Sequence, residues 1–190
     1  MPSAKTALLV IDVQRGIMDD PNLARKKKID QALDETVDRI AGLIQRARVA
    51  SVPVIYIQHD GVRGHRLEAG TSGWQLRSEI APQAGEPGII IHKRAPDAFF
   101  ETTLGAELAA GGIQQLVICG CMTPYCIDTT VRRAVSLGYD VILAADGHMT
   151  ADIGALGFEQ IIAHHNAVLD GFGAGKHEVC VCPSAEIRLT

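Results

Sequence analysis

The residue best suited to covalent chemistry is Cys126, in the run Gly120-Cys121-Met122-Thr123-Pro124-Tyr125-Cys126. The apolar stretch 116–119 predicts a strand before it, and Pro124 indicates the first turn of a helix that begins near Thr123. A thiol one turn into such a helix lies near free N–H groups and the positive end of the helix dipole. Both favour a thiolate and can receive a developing oxyanion. The position therefore predicts a nucleophile rather than an inert buried cysteine.

Two charged residues could assist this thiol. A cysteine with an ordinary pKa of about 8.5 is only a few per cent thiolate at neutral pH, so it needs a base or a nearby cation. Asp12 could accept the thiol proton, and Lys93 could stabilise the thiolate. Taken alone, Asp12 could simply cap a turn and Lys93 could be an ordinary surface lysine. What favours a catalytic trio is that all three residues follow predicted strands.

Strands and helices alternate along the whole chain. Of its 190 residues, 47% are hydrophobic, enough to bury one substantial core, and we expect one domain over residues 1–190. The alternation predicts an α/β fold, in which helices cover both faces of a parallel sheet. The expected strands are 7–11, 54–57, 89–91, 116–119, 141–144 and 179–181, and the expected helices are 29–50, 103–110, 123–137 and 156–169.

In sheets of this kind, ligands bind beyond the carboxyl ends of the strands. Asp12, Lys93 and Cys126 follow the first, third and fourth predicted strands, so they should share one rim. Residues 59–88 form a long excursion that contains the only tryptophan, and long loops in compact domains are usually functional. The other polar residues expected on this rim are His59, Asp60, Asp146 and His148.

Composition argues against several classes of partner. The net charge is −4 and the pI about 5.9, and the only basic cluster is 25–28, so nothing indicates nucleic-acid binding. No apolar run approaches the roughly 20 residues of a membrane span, and residues 1–5 carry no signal-peptide pattern. We therefore expect a soluble cytoplasmic protein that acts on a small molecule, without a nucleic-acid or membrane partner.

Four of the five cysteines form two pairs with one residue between them. Cys119 and Cys121 share a predicted strand, as do Cys180 and Cys182, so each pair should lie on one face. A metal site would more often show a two-residue gap and a second such pair. The pairs are therefore predicted to be packed, reduced thiols.

Several motifs together resemble the isochorismatase-like cysteine hydrolases. The resemblance lies in Lys93, in the run Gly120 to Cys126, and in further stretches in the same order and spacing. It extends over roughly residues 6–170 of the chain. The further stretches are 12–14, 73–82, 97–104, 129–134 and 138–141.

The resemblance implies a three-layer α/β/α fold with a six-stranded parallel sheet of order 3-2-1-4-5-6. It also implies a triad of Asp12, Lys93 and Cys126, and a cis peptide between Cys121 and Met122. That peptide would aim the Met122 N–H, together with the Cys126 N–H, at an oxyanion. A homo-oligomer, either a dimer or a tetramer, is implied as well. The residues expected to line the substrate pocket are Gln14, His59, Trp74, Phe99 and Tyr125.

The implied reaction is hydrolysis of an amide or ureide through a thioester, and three alternatives stay open. They are vinyl ether hydrolysis, redox chemistry in which Cys121 resolves an oxidised Cys126, and a catalytically silent binding module. Nicotinamidases of this family bind a metal through an Asp-x-His pair, but residues 58–65 lack that spacing, so we expect no metal and no other cofactor. His164 and His165 are interpreted as helix or interface residues, and no role is assigned to His148.

Overall fold

The computed structural model describes residues 5–19, 24–83 and 88–189. These ranges contain seven strands, four α-helices, a π-helical turn and one short 3₁₀ helix. The strands are β1 (Thr6–Ile11), β2 (Val54–His59), β3 (Ile89–Lys93), β4 (Gln115–Cys121), β5 (Asp140–Met149), β6 (Gly173–Ala174) and β7 (His177–Cys182). The α-helices are α1 (Lys26–Val49), α2 (Leu104–Gly111), α3 (Asp128–Ser136) and α4 (Phe158–Leu169); the π-helical turn is Thr123–Ile127 and the 3₁₀ helix is Ser184–Glu186.

The strands form one sheet of order β3-β2-β1-β4-β5-β7-β6. All neighbours from β3 to β7 are parallel, which confirms the predicted order for six strands, β7 being the sixth. The two-residue β6 pairs antiparallel with β7 and was not predicted, because two residues are too short to give a hydrophobic pattern.

Helices cover both faces of the sheet. Leu8 and Val10 of β1 join a core cluster with the buried side of α1, and Leu9 and Ile11 join a second cluster with α2 and α3. Because the strand is buried on both faces, its sequence reads as a continuous apolar run. The two clusters confirm the predicted three-layer arrangement.

The fifth strand is longer than predicted. It runs to Met149, and its pairing with β4 shifts register between Ile118 and Gly120. Asp146 and His148 therefore lie within β5, and their predicted place beyond its end is wrong. Asp146 binds Ser184 near the C-terminus and does not face the rim.

The cysteine pairs divide between interior and surface. Cys119 and Cys121 are buried in one core cluster, as predicted. Cys182 is half-buried and packs against the same cluster, whereas Cys180 is exposed, so the prediction of packing is wrong for Cys180 alone.

Some predictions concern residues outside the described ranges. The expectation that residues 1–5 carry no signal peptide falls mostly on residues 1–4, which lie outside the described ranges. The same is true of residues 84–87, the part of the predicted long loop 59–88 that is not described. In the described part of the chain, no helix is both long enough and apolar enough to cross a membrane.

Candidate active site

Three strand ends bring Asp12, Lys93 and Cys126 together. Asp12 follows β1, Lys93 is the last residue of β3, and Cys126 lies in the turn after β4. Lys93 Nζ is 2.7 Å from Asp12 Oδ2 and 3.2 Å from Cys126 Sγ, and it also donates to the Ala95 carbonyl at 2.9 Å. Asp12 and Lys93 are 1% and 2% exposed, whereas Cys126 is half-buried. The ammonium therefore contacts both groups in a site largely closed to water.

Close contact between β1 and β4 sets the spacing of these groups. Gly120 of β4 has φ +124°, and a Cβ at this position would lie 2.0 Å from the carbonyl oxygen of Ile11. Only glycine allows this approach and this backbone conformation together. Asp12 comes directly after Ile11 and has φ +51°, which is uncommon for a residue with a side chain. Its N–H donates to the Ile57 carbonyl, which ties it to β2.

Burial and charge determine which group holds the proton. Burial raises the pKa of Asp12 above that of an ordinary carboxyl, although the Lys93 ammonium opposes this effect. Burial and the nearby Asp12 carboxylate raise the pKa of Cys126 to about 12, with Lys93 again opposing. Burial alone would lower the pKa of Lys93, but Asp12 and Cys126 outweigh it and raise that pKa. Burial and Asp12 therefore favour the thiol form of the resting cysteine and oppose the helix dipole and the Lys93 charge, which favour the thiolate.

The turn that carries Cys126 is irregular. The peptide between Cys121 and Met122 is cis, and residues 123–127 form a π-helical turn. The Met122 carbonyl accepts hydrogen bonds from the N–H groups of Tyr125 and Ile127. Single π-helical turns are frequent at functional sites, because they change the direction of side chains within a helix.

The predicted pocket residue Gln14 has a different role. Its side chain is fully buried; Nε2 donates to the carbonyls of His59 and Trp74, and Oε1 accepts from the His59 N–H. The Gln14 amide therefore holds the backbone of His59 and Trp74 together at the rim, and its polar atoms are engaged by protein groups. Gln58, which the sequence analysis did not select, also donates to the Trp74 carbonyl.

Backbone hydrogen bonds fix the base of the long loop. The N–H groups of Arg15 and Gly16 donate to the carbonyls of Gln75 and Gly73, and the Arg77 N–H donates to the Val13 carbonyl. The base of the loop thus pairs with residues 13–16 beside the site.

The structure places the predicted aromatic residues differently. Tyr125 is 48% exposed and lines a depression of about 260 Å³ beside Met122. Phe99 is half-buried, stacks on Tyr139 and packs against the core cluster under α2 and α3, and its contact with a substrate stays a prediction. Its neighbour Phe100 is 55% exposed and lines a second depression next to Lys93. The two adjacent phenylalanines indicate in the sequence that an aromatic ring lies near the rim. The sequence does not indicate which of the two faces it.

Trp74 and His59 lie on the β2–β3 side of the rim. The Trp74 indole donates to Asp60 at 2.7 Å and stacks on His92 at 5.6 Å between ring centroids. His59 is half-buried; burial lowers its pKa, and the nearby Lys93 ammonium lowers it further. Both positions agree with the predicted pocket wall, and contact with a substrate stays a prediction.

The residues after β2 do not fit a metal ion. Asp60 is engaged by Trp74 and His92, and the His65 Nδ1 accepts the Leu67 N–H. Among residues 5–19, 24–83 and 88–189, no three His, Cys, Asp or Glu side chains form a metal-binding cluster.

Arg66, on the long loop, was not selected from the sequence. Its Nη2 lies 3.4 Å from Met122 Sδ, and the side chain lines the same depression as Tyr125. An arginine in a loop rich in charge and glycine gives no signal of its own. Only the folded loop brings it to the turn before the thiol.

Comparison with known proteins places this arrangement in a family. The Isochorismatase domain model matches residues 6–168. The chain is 37% identical over 153 residues to a streptothricin hydrolase of Streptomyces noursei, covering 78% of this chain and 51% of that protein. It is 27% identical over 177 residues to the ureidoacrylate amidohydrolase RutB of Stutzerimonas stutzeri, covering 77% and 70%.

The fold comparison agrees with the sequence comparison. An isochorismatase of Pseudomonas putida superimposes with a TM-score of 0.82 at 31% identity, covering 97% of this chain and 90% of that one. The chain spans about half the length of the streptothricin hydrolases it matches. Because the family model covers residues 6–168 and the fold agrees, the chain belongs to the isochorismatase family of hydrolases.

Proposed function

We propose that the protein is a cysteine-dependent hydrolase that cleaves a C–N bond of a small amide, ureide or carbamoyl compound. The observation that carries this proposal is the position of Lys93 Nζ, 2.7 Å from Asp12 Oδ2 and 3.2 Å from Cys126 Sγ. A nucleophile, a base of raised pKa and a fixed cation in a closed site are the parts that covalent acyl transfer needs. The ureidoacrylate amidohydrolase among the relatives supports C–N cleavage.

In the first half of the reaction, Asp12 takes the thiol proton as the sulfur of Cys126 attacks the carbonyl carbon. The carbonyl π electrons move to oxygen, and the N–H groups of Met122 and Cys126 hold the resulting oxyanion. Preorganised donors of this kind stabilise charge that develops in the transition state. When the intermediate collapses, the C–N bond breaks, and the leaving nitrogen takes the proton from Asp12. The product of this half is a thioester on Cys126.

In the second half, water replaces the amine. Asp12, again ionised, removes a proton from the water as its oxygen attacks the thioester carbonyl. The C–S bond then breaks, and the sulfur recovers the proton from Asp12. Lys93 stays positive throughout and stabilises the Asp12 carboxylate and the negative charge that develops on the Cys126 sulfur as its proton leaves.

The alternatives make different predictions. In a redox protein Cys121 would resolve Cys126, but Cys121 belongs to the core cluster under α1, whereas Cys126 packs against the cluster under α2 and α3. Both thiols are free in the structure. Vinyl ether hydrolysis and a silent binding module have no observation of their own in favour of them.

The test is turnover of a panel of amides, ureides, carbamoyl compounds and a vinyl ether by wild type and by Cys126→Ala. We expect release of amine or ammonia by the wild type, and less than about a tenth of its kcat in the folded alanine variant. Mass spectrometry after rapid quenching should detect an acyl group on Cys126.

Two cysteine variants act as controls. Cys180→Ala removes an exposed thiol and should leave turnover unchanged. Cys121→Ala should keep the acyl adduct if the protein is a hydrolase, but abolish activity if Cys121 resolves Cys126. Turnover of the ether alone, or an unaltered kcat in Cys126→Ala, would contradict the proposal.

The homo-oligomer also stays a proposal. Tyr125 and Phe100 expose about half of their surface on the rim, which is consistent with cover by a neighbouring subunit. Light scattering of the purified protein tests this.

A further inference from the structure

A chain of hydrogen bonds, largely closed to water, connects α4 to the turn that carries the thiol. Asn166 Oδ1 lies 2.8 Å from His148 Nε2, and His148 Nδ1 lies 2.9 Å from Thr123 Oγ1. His148 is 1% exposed and Thr123 is fully buried. Within the described part of the protein, none of these three residues makes a hydrogen bond to Asp12 or Lys93. This series of hydrogen bonds therefore lies outside the triad.

The Asn166 amide indicates the direction of each hydrogen bond in this chain. Asn166 Nδ2 donates to the Ala145 carbonyl, which leaves Oδ1 as the acceptor towards His148. His148 Nε2 must therefore carry the hydrogen, and Nδ1 must accept from the Thr123 hydroxyl. Burial lowers the pKa of His148 to about 4, so the ring is neutral at physiological pH and can accept this bond.

Thr123 is well placed to control the nucleophile. It follows Met122 directly and begins the π-helical turn that carries Cys126. Met122, which precedes the turn, makes no side-chain capping bond. Among the described residues, the bond to His148 is the one that ties a side chain of this turn to β5.

We propose that His148, oriented by Asn166, is a positioning residue, which holds Thr123 and, through it, the Met122 amide and the Cys126 thiol in the geometry of attack. Neither residue moves a proton to or from the substrate. Catalytic groups need this kind of support, because small misplacements of reacting atoms cost large factors in rate. The effect on turnover rests on the proposed function, but the effect on thiol reactivity does not.

The first test uses two substitutions of His148. In His148→Asn the side-chain oxygen replaces Nδ1 and can still accept from Thr123, whereas His148→Gln places its amide near Asn166 and leaves Thr123 without an acceptor. We expect His148→Gln to lower kcat, and the rate of Cys126 alkylation by iodoacetamide, by at least about 10-fold, with KM changed less than about two-fold. His148→Asn should keep most of both rates.

A second pair covers the case in which the His148 variants fail to fold. Thr123→Val keeps the shape but loses the hydroxyl, and should behave like His148→Gln. Thr123→Ser restores the hydroxyl and should recover most of the rate. The double variant Thr123→Val/His148→Gln should be scarcely slower than either single one, because both break the same bond.

The outcomes separate a positioning role from simple packing. Equal rates in Thr123→Val and Thr123→Ser, or a loss of thermal stability with unchanged kcat and alkylation rate, would overturn the inference. If no substrate is turned over but alkylation follows the predicted order, the proposed function fails and the positioning role stands.

Discussion

At the scale of single residues, the main feature is that one ammonium group stabilises negative charge on two neighbours, one after the other. Lys93 contacts both the Asp12 carboxylate and the Cys126 thiol. When the proton passes from sulfur to carboxylate, the negative charge moves from one neighbour of Lys93 to the other, and the net charge of the trio stays constant. A fixed cation therefore stabilises both states without rearrangement of water.

This arrangement predicts strongly non-additive mutational effects. Asp12→Asn keeps the shape of the base but cannot accept the proton, and Lys93→Met removes the charge. Each should lower kcat by at least about 10²-fold, and the double variant should be scarcely worse than the poorer single one. Steady-state kinetics on circular-dichroism-verified protein measures this.

The matched controls are Asp38→Asn and Lys176→Met, which make the same changes at exposed positions and should leave kcat unaltered. If the kcat of Asp12→Asn/Lys93→Met is reduced by the product of the two single reductions, the two residues act independently. The triad would then have to be abandoned.

The raised pKa of Asp12 predicts the acid side of the pH profile. The reaction needs an ionised Asp12 carboxylate. Activity is therefore present above the pKa that Asp12 has in the folded protein, and it is lost as the pH falls through that pKa. Because burial raises that pKa, kcat/KM should decline at a pH above the ordinary carboxyl value of about 3.9. The midpoint belongs to the coupled trio rather than to Asp12 alone.

The measurement is kcat/KM against pH, with circular dichroism at each point to show that the protein stays folded. An acid midpoint at or below the ordinary carboxyl value would contradict the assignment of Asp12 as the base.

At the scale of elements, the site depends on the close contact between β1 and β4, which sets the distance between Asp12 and the turn that carries Cys126. Gly120→Ala would place a methyl group against the Ile11 backbone and force an unfavourable φ. We expect it to destabilise the protein by at least about 2 kcal/mol, because backbone cannot move aside as a side chain can. Chemical denaturation measures the loss.

Gly42→Ala is the matched control. A Cβ at position 42 meets nothing within 4 Å inside α1. Since glycine weakens a helix interior, this change should stabilise the protein by about 0.5–1 kcal/mol. A Gly120→Ala variant as stable as wild type would show that β1 and β4 can separate without cost.

The elements also explain what the sequence could and could not predict. Asp12, Lys93 and Cys126 were predictable, because continuous apolar runs mark buried parallel strands and the residues after them share one edge. The longer β5 was not, because the register shift after Ile118 has no signature in the hydrophobic pattern. This shift moved His148 from the expected rim into the interior.

Side-chain direction in the loops was the second limit. Phe99 and Phe100 are adjacent, and only the folded turn decides that Phe100 faces the rim while Phe99 joins the core. The protonation of Cys126 was the third limit, since the position of a helix start indicates its dipole but not the depth of burial that opposes it.

At the scale of the whole molecule, we predict that activity needs no metal ion. Asp60 is engaged by Trp74 and His92, and His65 Nδ1 accepts the Leu67 N–H. The chemistry proposed for Asp12, Lys93 and Cys126 uses no metal ion. Dialysis against a chelator should leave kcat unchanged, with elemental analysis to follow bound metal. Loss of activity on removal of a stoichiometric metal, and its return on adding that metal back, would contradict this.

The anchored base of the long loop has a consequence for how substrate choice can change. Two glutamine amides and a ladder of backbone bonds fix residues 73–77, whereas the backbone bonds of the tip at 62–71 stay within residues 61–71. Selection could therefore lengthen or shorten the tip while the catalytic floor stays in place, since added loop length costs little in stability. Four glycine or serine residues inserted after Arg63 should alter KM across a substrate panel and leave Tm nearly unchanged. The same insertion after Trp74 should lower both Tm and kcat, and equal effects at the two places would show that the loop does not divide into a fixed base and a variable tip.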